Sequence, residues 1–531
     1  MDKQLKWISD RLAAKDDLGT LFLATHAAEG AKIISSIKDS GKAYSIIGPD
    51  TFSEKDFMDR LKQYPRERST PGYYSDGIFS VSPFMIGIAD NKATAFGQQF
   101  FQKFKQKPSG SAACYYDAVH VAVSAIKKAG IAGRGKIRGD RTKVRDALAS
   151  FYDQKTAVKG ITGDIFFNKN GDVNRPYAMG KYQNQRLLPA FFQYQQIENP
   201  KGVPDIFEKV LSGEFIVIDR KLMNKFNVIF TDVEINDISN LDIHRSRCTL
   251  DFYIWFQYSE DLKIGRIEFT NSAHPIYLEN PVAEKTFNRI TTRLYRVRAE
   301  FKTDFNLHAY PFISHVLPIR FRYTSNTDDR LIHVADISGL SELRIRRNGE
   351  QKTEFSALPG WHIKEMSYYR DNILKNTSLG HPIFSDATHR TSMGQFNVQI
   401  RLEKERGKDI IKIFLPSIIM LAVLYLIYFV PPHRLMARML VGMAVMITNA
   451  TFHLKLLSDI PVAYLTFLEY VLLTIYLFIS MSVFISVIIY RTHQRGDAVR
   501  SANLMRAGRI IYPCLMLTLA FAIIIIYYLS I

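Results

Sequence analysis

Residues 435–457 read LMARMLVGMAVMITNATFHLKLL. The stretch is mostly apolar and long enough to cross a bilayer as one helix, because a hydrocarbon core of about 30 Å needs roughly 20 residues. It also carries polar side chains, which are expensive in lipid, so we expect them to face a bundle interior or a water-filled path. These polar residues are Arg438, Thr448, Asn449, Thr451, His453 and Lys455.

A helical period places one set of residues in this stretch on a common stripe, at steps of three or four. The set is Leu440, Ala444, Ile447, Thr451 and Leu454. Two interpretations are open. The stripe can be an ordinary packing surface between helices. Five copies around an axis would instead line a pore, with a hydrophobic constriction near Ile447 that gates by dewetting.

Three further apolar stretches predict three more membrane helices, at 410–430, 463–490 and 510–531. The turn 431–434 reads PPHR, and the loop 491–509 carries five arginines against the single acid Asp497. Cytoplasmic loops are enriched in Lys and Arg. We therefore expect the large N-terminal region and the C-terminus to lie outside.

The formal net charge of +18 restricts the function classes. A membrane protein with a basic cytoplasmic face accounts for it. Nucleic-acid binding is the alternative, but we find no recognition motif, and the basic residues are scattered. Cys114, Cys248 and Cys514 form neither a metal pattern nor a disulfide framework. Without a P-loop, a nucleophile elbow or metal-spaced histidines, we expect no enzyme, cofactor, metal site or nucleic-acid partner.

Residues 223–408 lose the helical period and predict a β-sandwich. Short β-branched and aromatic runs, such as TLDFYIWFQY at 249–258 and FNVQIRL at 396–402, alternate with clusters of Asn, Asp, Gly and Ser. Several strands at this spacing indicate an immunoglobulin-like antiparallel sandwich. It precedes the four-helix transmembrane bundle expected at 409–531.

This order, a sandwich followed by four spans with a short arginine-rich loop, resembles the Cys-loop receptor superfamily of pentameric ligand-gated ion channels. The resemblance covers about residues 205–531. It rests on Tyr310-Pro311-Phe312, Arg401, Pro416, Arg438 with Gly442, residues 458–461 (SDIP) and residues 464–466 (YLT). No cysteine pair brackets residues 310–317, as in the bacterial branch. Ile313 and Ser314 replace the acidic residue that commonly follows Pro-Phe in this family.

The resemblance implies a homo-pentamer in a bacterial inner membrane. A small-molecule agonist, amino-acid-like in its chemistry, would bind outside and open a path across the lipid bilayer for inorganic ions. The residues implied to couple the sandwich to the helices are Tyr310, Pro311, Phe312, Arg401, Pro461 and Tyr464. A membrane-anchored solute sensor without ion conduction is the alternative function.

The cytoplasmic mouth of the implied pore carries Arg434, Ala437 and Arg438. Cation-selective relatives have a glutamate ring at this place. Five copies of the present sequence make a positive field that repels cations, so we expect anion permeation or weak selectivity. In the alternative interpretation, Arg434 and Arg438 snorkel toward lipid headgroups.

Agonist sites in this family lie at subunit interfaces and are lined with aromatic side chains, which can hold a cation. The candidates are Tyr253 and Trp255 on one face, with Tyr323, Tyr368, Tyr369 and Phe384 across from it. Aromatic residues of a sandwich are more often part of its core, so both interpretations stay open for each residue.

Residues 1–200 alternate strand and helix patterns and predict α/β structure with a partly parallel sheet. The segment resembles periplasmic binding proteins of the branched-chain-amino-acid type. The matching residues are 47–50 (IGPD), 116–118 (YDA), 160–163 (GITG), Phe167, 170–172 (NGD) and a closing hairpin within 177–193.

That resemblance covers only the second half of the binding-protein fold, and the chain opens without a signal-peptide pattern. We therefore expect a first lobe to precede Met1, or else a degenerate structural module. Residues 201–222 are expected to form a linker into the sandwich.

Overall fold

A computed structural model of the protein describes most of the chain. Mixed α/β sheets come first and are followed by four long apolar helices, as the sequence predicts. The described residues are 2–16, 18–89, 91–131, 133, 136–153, 155–173, 177–197, 200, 203, 205–259, 267–287, 289–312, 314–323, 331–336, 361–375, 391–404, 408–460 and 462–529.

The N-terminal part alternates helices and strands, as predicted. Its helices are α1 (Asp2–Ala13), α2 (Ala27–Asp39), α3 (Lys55–Leu61), α4 (Pro65–Ser69), α5 (Asn91–Phe104), α6 (Gly110–Ala129) and α7 (Ile137–Ala149), with 3-10 turns at Asp50–Ser53 and Ile86–Ile88. Its strands are β1 (Thr20–Phe22), β2 (Ser45–Gly48), β3 (Phe79–Ser82), β4 (Val158–Lys159), β5 (Asp164–Ile165), β6 (Ala178–Gln183) and β7 (Arg186–Pro189). Strands β1 to β3 pair in parallel, and the β6–β7 hairpin continues the sheet antiparallel. The partly parallel sheet is confirmed.

Two of the motifs in this part bind each other. Asp117 on α6 is fully buried, and its carboxylate accepts hydrogen bonds from the backbone nitrogens of Ile161 at 2.8 Å and Thr162 at 2.9 Å. A Cβ on Gly160 would lie 2.6 Å from Asp117 Oδ2, so the close approach of this loop requires glycine. The segments 116–118 and 160–163 therefore form one structural clamp.

The described residues of the predicted linker at 201–222 include regular secondary structure. This segment contains α8 (Ile206–Leu211) and β9 (Phe215–Ile218). Both β9 and the preceding β8 (Phe192–Gln196) pair antiparallel with the long strand β10 (Lys221–Asp242). Asp219 and Arg220, between β9 and β10, have φ of 48° and 60°, as a two-residue type I′ hairpin requires. The β-branched run FIVI and this turn explain the extra strand.

Two sheets with a shared core follow. The remaining strands are β11 (Arg247–Ser259), β12 (Ile267–Phe269), β13 (Ala283–Phe287), β14 (Ile290–Lys302), β15 (Ser314–Tyr323), β16 (Leu331–Ala335), β17 (Trp361–Lys375) and β18 (Thr391–Lys404). One sheet has the order β13-β14-β11-β10-β16 and the other β12-β15-β18-β17. Phe252 and Phe321, one from each sheet, are fully buried in the core between them.

One pairing departs from the predicted antiparallel arrangement. Residues 227–231 of β10 pair in parallel with residues 331–335 of β16. The chain leaves the second sheet after β15 and enters the first sheet beside β10, running in the same direction. The sandwich is therefore antiparallel except at this edge.

The four apolar helices are α9 (Lys408–Tyr425), α10 (Leu435–Asp459), α11 (Phe467–Gln494) and α12 (Ala498–Leu529), with a 3-10 turn at Leu426–Phe429 after α9. All four are long and apolar enough to cross a membrane. The predicted number of spans is confirmed by length and composition.

The arginine-rich segment 491–509 was expected to be a loop, and this expectation is wrong. Helix α11 continues to Gln494 and α12 begins at Ala498, so only Arg495, Gly496 and Asp497 connect them. Asp497 Oδ1 accepts a hydrogen bond from Arg500 N at 2.9 Å, which caps the start of α12. The following residues are mainly good helix formers, so positive charge alone does not end the helix.

Candidate functional site

Helix α10 has one face buried in its own chain and one face exposed. The buried residues are Arg438, Gly442, Val445, Asn449 and Leu456. The predicted stripe, Leu440, Ala444, Ile447, Thr451 and Leu454, is exposed along its whole length. At about 100° per residue, the centres of the two sets lie about 170° apart. The stripe is therefore the face of α10 that its own chain leaves uncovered.

Three polar residues of α10 point inward and have partners there. Asn449 Nδ2 donates to Leu472 O at 3.2 Å, and His453 Nε2 lies 3.8 Å from Glu469 Oε1 on α11. Arg438 Nη2 donates to the carbonyl of Val430. These contacts compensate only in part for the removal of the polar groups from water, because Arg438 Nε and Nη1 and Asn449 Oδ1 are buried without a hydrogen-bond partner among the described residues.

The other three polar residues of α10, Thr448, Thr451 and Lys455, lie on the exposed side. The hydroxyls of Thr448 and Thr451 each donate at 2.9 Å to the carbonyl four residues earlier in the helix. This satisfies both donors without a second helix. The exposed face thus combines large apolar side chains with hydroxyls and a cation.

The three residues expected at the mouth have different environments. Arg434 is exposed and Ala437 is partly exposed at the start of α10. Arg438 is fully buried inside the helix bundle, where it neither lines the mouth nor extends toward headgroups, contrary to both expectations. The reason is geometric, since a residue two positions before Leu440 lies about 160° around the helix from the stripe.

The Tyr310-Pro311-Phe312 loop packs against the membrane helices. Phe312 is only 5% exposed, and its ring centroid lies 5.9 Å from that of Phe414 on α9 and 5.8 Å from that of Phe467 on α11. Pro311 follows Tyr310 in a cis peptide bond. Burial, assisted by the nearby carboxylate of Asp459, raises the pKa of the Tyr310 phenol. The loop is therefore embedded at the junction of sandwich and helices.

The same loop provides hydrogen-bond acceptors for the start of α11. The backbone nitrogens of Phe467 and Leu468 donate to the carbonyls of His308 at 2.8 Å and Tyr310 at 3.2 Å. The first N–H groups of a helix have no partner within it, so acceptors must come from elsewhere. The side chain of Thr466 accepts from the next nitrogen in a capping box. The β-sheet region thus completes the N-terminus of a helix that is long and apolar enough to cross a membrane.

Tyr464 holds this loop from the helix side. Its hydroxyl accepts a hydrogen bond from the backbone nitrogen of Leu307 at 3.0 Å. Of the other predicted coupling residues, Arg401 is exposed on β18, and its side chain forms no hydrogen bond or ion pair within the described part of the chain. Pro461 lies outside the described residues, as does Ile313.

Two of the candidate agonist residues contact buried carboxylates. Trp255 Nε1 donates to Asp336 Oδ2 at 3.2 Å, and the Tyr368 hydroxyl donates to Asp232 Oδ1 at 2.5 Å. Asp232 is fully buried and Asp336 is 8% exposed. Asp232 is also the register partner of Trp255 across β10 and β11. We call these four residues the acid–aromatic cluster.

The remaining aromatic candidates do not join this cluster through any contact seen among the described residues. The Tyr253 ring lies 5.9 Å from the guanidinium of Arg296, and Tyr323 is partly exposed at the end of β15. Tyr369 accepts from Gln399 Nε2 at 2.7 Å. Neighbouring residues of a strand point to opposite faces, so Tyr368 and Tyr369 do not line one site, which corrects the expectation. Phe384 lies outside the described residues.

The sequence reasoning missed Asp232, Asp336 and His308. A signal for Asp232 was present, because it interrupts the apolar run of β10, NVIFTDVEI, where a charge is costly unless it is paired. Asp336 directly follows β16 and His308 lies in the loop after β14, where a polar residue is common, so neither carries a comparable signal.

Among the described residues, no group of three or more His, Cys, Asp or Glu side chains is arranged to hold a metal ion. No protein-family model matches the chain, and no curated protein matches its sequence.

Proposed function

We propose that the chain is one subunit of a pentameric ligand-gated ion channel in which α10 lines a central pore. The observation that carries the proposal is the uncovered stripe on α10, opposite the face that packs into the chain. A lysine on a lipid-facing surface would be costly, whereas the threonine hydroxyls are satisfied by their own helix. Around a shared axis, the same groups meet water, and Ile447 forms the narrow apolar ring.

The junction between sandwich and helices supports a gating role. Carbonyls of the 305–312 loop accept the first N–H groups of α11, and Phe312 is inserted between α9 and α11. A displacement of this loop would remove acceptors from α11, whose Glu469 lies beside His453 on α10. Ligand binding in the sandwich could in this way bias the position of the pore helix.

The agonist site is proposed at the acid–aromatic cluster of Asp232, Trp255, Asp336 and Tyr368. Along β11, the buried residues Ile254 and Phe256 face the core. Trp255 stands between them and therefore lies on the opposite face of the strand. Trp255 stays partly exposed on that face, whereas Asp232 is fully buried, so a neighbouring subunit would approach the cluster from the Trp255 side. A small molecule carrying an amino group fits carboxylates and aromatic faces placed together.

The arginine-rich end of the bundle is proposed to be cytoplasmic, with the sheets and the C-terminus outside. Arg434 remains exposed at that end, and the buried Arg438 adds its charge within the bundle. Both favour anions, so we propose an anion-permeable or weakly selective pore. The reversal potential in a chloride gradient tests this, because a shift that follows sodium instead would exclude anion selectivity.

The proposed function is tested on the purified full chain. We expect a particle with the protein mass of five subunits, and step-like currents in planar bilayers once Ile447→Ser makes the constriction wettable. Leu477→Ser, at an equally exposed position on α11, is the matched control and should add no current. Monomers would overturn the proposal. Pentamers that never conduct would favour the membrane-anchored solute sensor.

A further inference from the structure

A basic recess lies at the arginine-rich end of the helix bundle, between the turn before α10, the end of α11 and the first turns of α12. It has a volume of about 350 Å³. Its polar lining consists of His493, Ser501, Arg506 and Arg509, with Pro432 and Met505 among the apolar residues. This recess is separate from the stripe on α10 and from the acid–aromatic cluster.

The positive charge around this recess is not neutralised by the described residues of the chain. Asp497 is the only acidic residue after Glu469, and it caps the start of α12 through Arg500 N. None of the arginines at 491, 495, 500, 506 and 509 forms an ion pair with an acidic residue in the part of the chain that the structure describes. An anion from outside the chain would therefore meet an uncompensated field.

Arg509 is held in place at the recess. Its Nε donates to the carbonyl of Tyr428 at 3.1 Å, and its guanidinium lies 4.6 Å from the ring centroid of Phe429. A guanidinium has five N–H donors in a fixed fork, so this one bond leaves donors for a ligand. Gly508 allows the close approach, because a Cβ there would lie 2.3 Å from the Tyr428 ring. The site is thus preorganised on one side.

An apolar track continues from the recess along α12. Ile510, Leu517 and Phe521 follow Arg506 at steps of four, seven and four residues, which places them on one side of the helix. They are 67%, 69% and 64% exposed. A ligand with a charged head and a long apolar tail matches this order, whereas a free inorganic anion would use the recess alone.

We propose that the recess binds the phosphate of an anionic phospholipid, with an acyl chain along Ile510, Leu517 and Phe521. In this site, Arg506 and Arg509 contact the phosphate oxygens. His493 and Ser501 form the remaining polar lining of the recess. Basic pockets between membrane helices are suited to such headgroups, and guanidinium groups bind phosphate oxygens in pairs. This lipid-binding proposal does not depend on whether the protein conducts ions.

The test measures lipid retention by native mass spectrometry on the full chain in neutral detergent. The probes are dioleoyl phosphatidylglycerol and dioleoyl phosphatidylcholine. We expect tighter binding of phosphatidylglycerol, weakened about thirtyfold in Arg506→Gln/Arg509→Gln and about fivefold in Arg506→Gln alone. Arg495→Gln/Arg500→Gln removes the same charge from the same end outside the lining, and should change the affinity less than about twofold.

Each outcome decides the proposal. If both double variants bind phosphatidylglycerol equally weakly, a diffuse positive field and not a site attracts the lipid. If the protein binds phosphatidylglycerol no more tightly than phosphatidylcholine, the proposed site is overturned directly. Displacement of the lipid by millimolar inorganic phosphate would identify a small-anion site instead. If Arg509→Gln disturbs folding through the lost Tyr428 contact, the exposed Arg506→Gln variant, checked by circular dichroism, still gives the answer.

Discussion

The imidazole ring of His308 stacks on the phenol ring of Tyr464, with the centroids 3.7 Å apart and the planes 20° from parallel. The two residues belong to different parts of the molecule, the loop after β14 and the segment before α11. Together with the carbonyls that accept from Phe467 and Leu468, this pair fixes the sandwich to the membrane helices. Substitutions at the junction should therefore affect stability and, under the proposed channel function, gating.

Tyr464→Phe should destabilise the junction while keeping the stacked ring. The hydroxyl accepts from Leu307 N, and Leu307 is fully buried, so its N–H would lose its acceptor. Such a loss costs about 1–3 kcal/mol. Thermal unfolding in detergent measures it, with Tyr470→Phe, 56% exposed, as the control that should change little. Equal melting temperatures for the two variants would contradict this role of the hydroxyl.

Phe312→Ala should have a larger effect. The substitution removes a ring that packs between Phe414 and Phe467, and truncations of buried Phe cost about 3–5 kcal/mol. Phe312→Leu keeps most of the volume and should retain most of the stability. We also expect smaller agonist-independent current changes in the Leu variant than in the Ala variant. A Phe312→Ala protein that melts like the wild type would show that the loop does not support the helices.

Stability should fall below neutral pH because of two buried histidines. Burial lowers the pKa of His315 to about 4 and of His333 to about 3, the latter assisted by Arg370. The unfolded chain takes up these protons near pH 6.5, so the unfolding free energy decreases as the pH falls from about 6.5 toward 4 and is flat above 7. His315→Phe, beside Phe305 and Trp361, should flatten the profile. Denaturation at several pH values would reject this account if both proteins gave the same slope.

Asp117→Asn should loosen the N-terminal α/β part locally. The asparagine side chain keeps one acceptor oxygen, so its NH2 group must face one of the two backbone nitrogens, of Ile161 or Thr162, that now donate to the carboxylate. Losing one hydrogen bond to a charged group, and leaving its buried backbone donor against an NH2 group, costs about 3 kcal/mol. Hydrogen exchange of the two amides should accelerate by at least about a hundredfold, and Asp146→Asn on the exposed side of α7 should leave it unchanged. Unchanged protection in Asp117→Asn would refute the clamp.

The five residues of the predicted stripe lie on one exposed face of α10, because a helix of known period leaves little freedom. The same period already implied that Arg438 lies opposite Leu440. The family resemblance implies a position for Arg438 at the mouth, whereas the structure buries it beside Val430. Local periodicity was the better guide.

Contacts between distant segments could not be predicted in this way. Tyr368 and Asp232 are far apart in the chain, and only the register of β10 and the position of β17 bring them together. The folded segment before β10 was missed for a different reason. Its strand β9 is only four residues long, and the Asp219-Arg220 turn lacks the usual glycine.

Water access to Ile447 tests the central claim most directly. The experiment uses a Cys514→Ser background, which removes the exposed native thiol of α12. In this background, Ile447→Cys is compared with Leu477→Cys. The native Ile447 and Leu477 side chains are 64% and 63% exposed in the single chain. A membrane-impermeant methanethiosulfonate reagent should modify Ile447→Cys and block the current, and leave Leu477→Cys unmodified within lipid or a subunit contact. If Ile447→Cys proves as unreactive as Leu477→Cys while the pentamer conducts, α10 does not line the path.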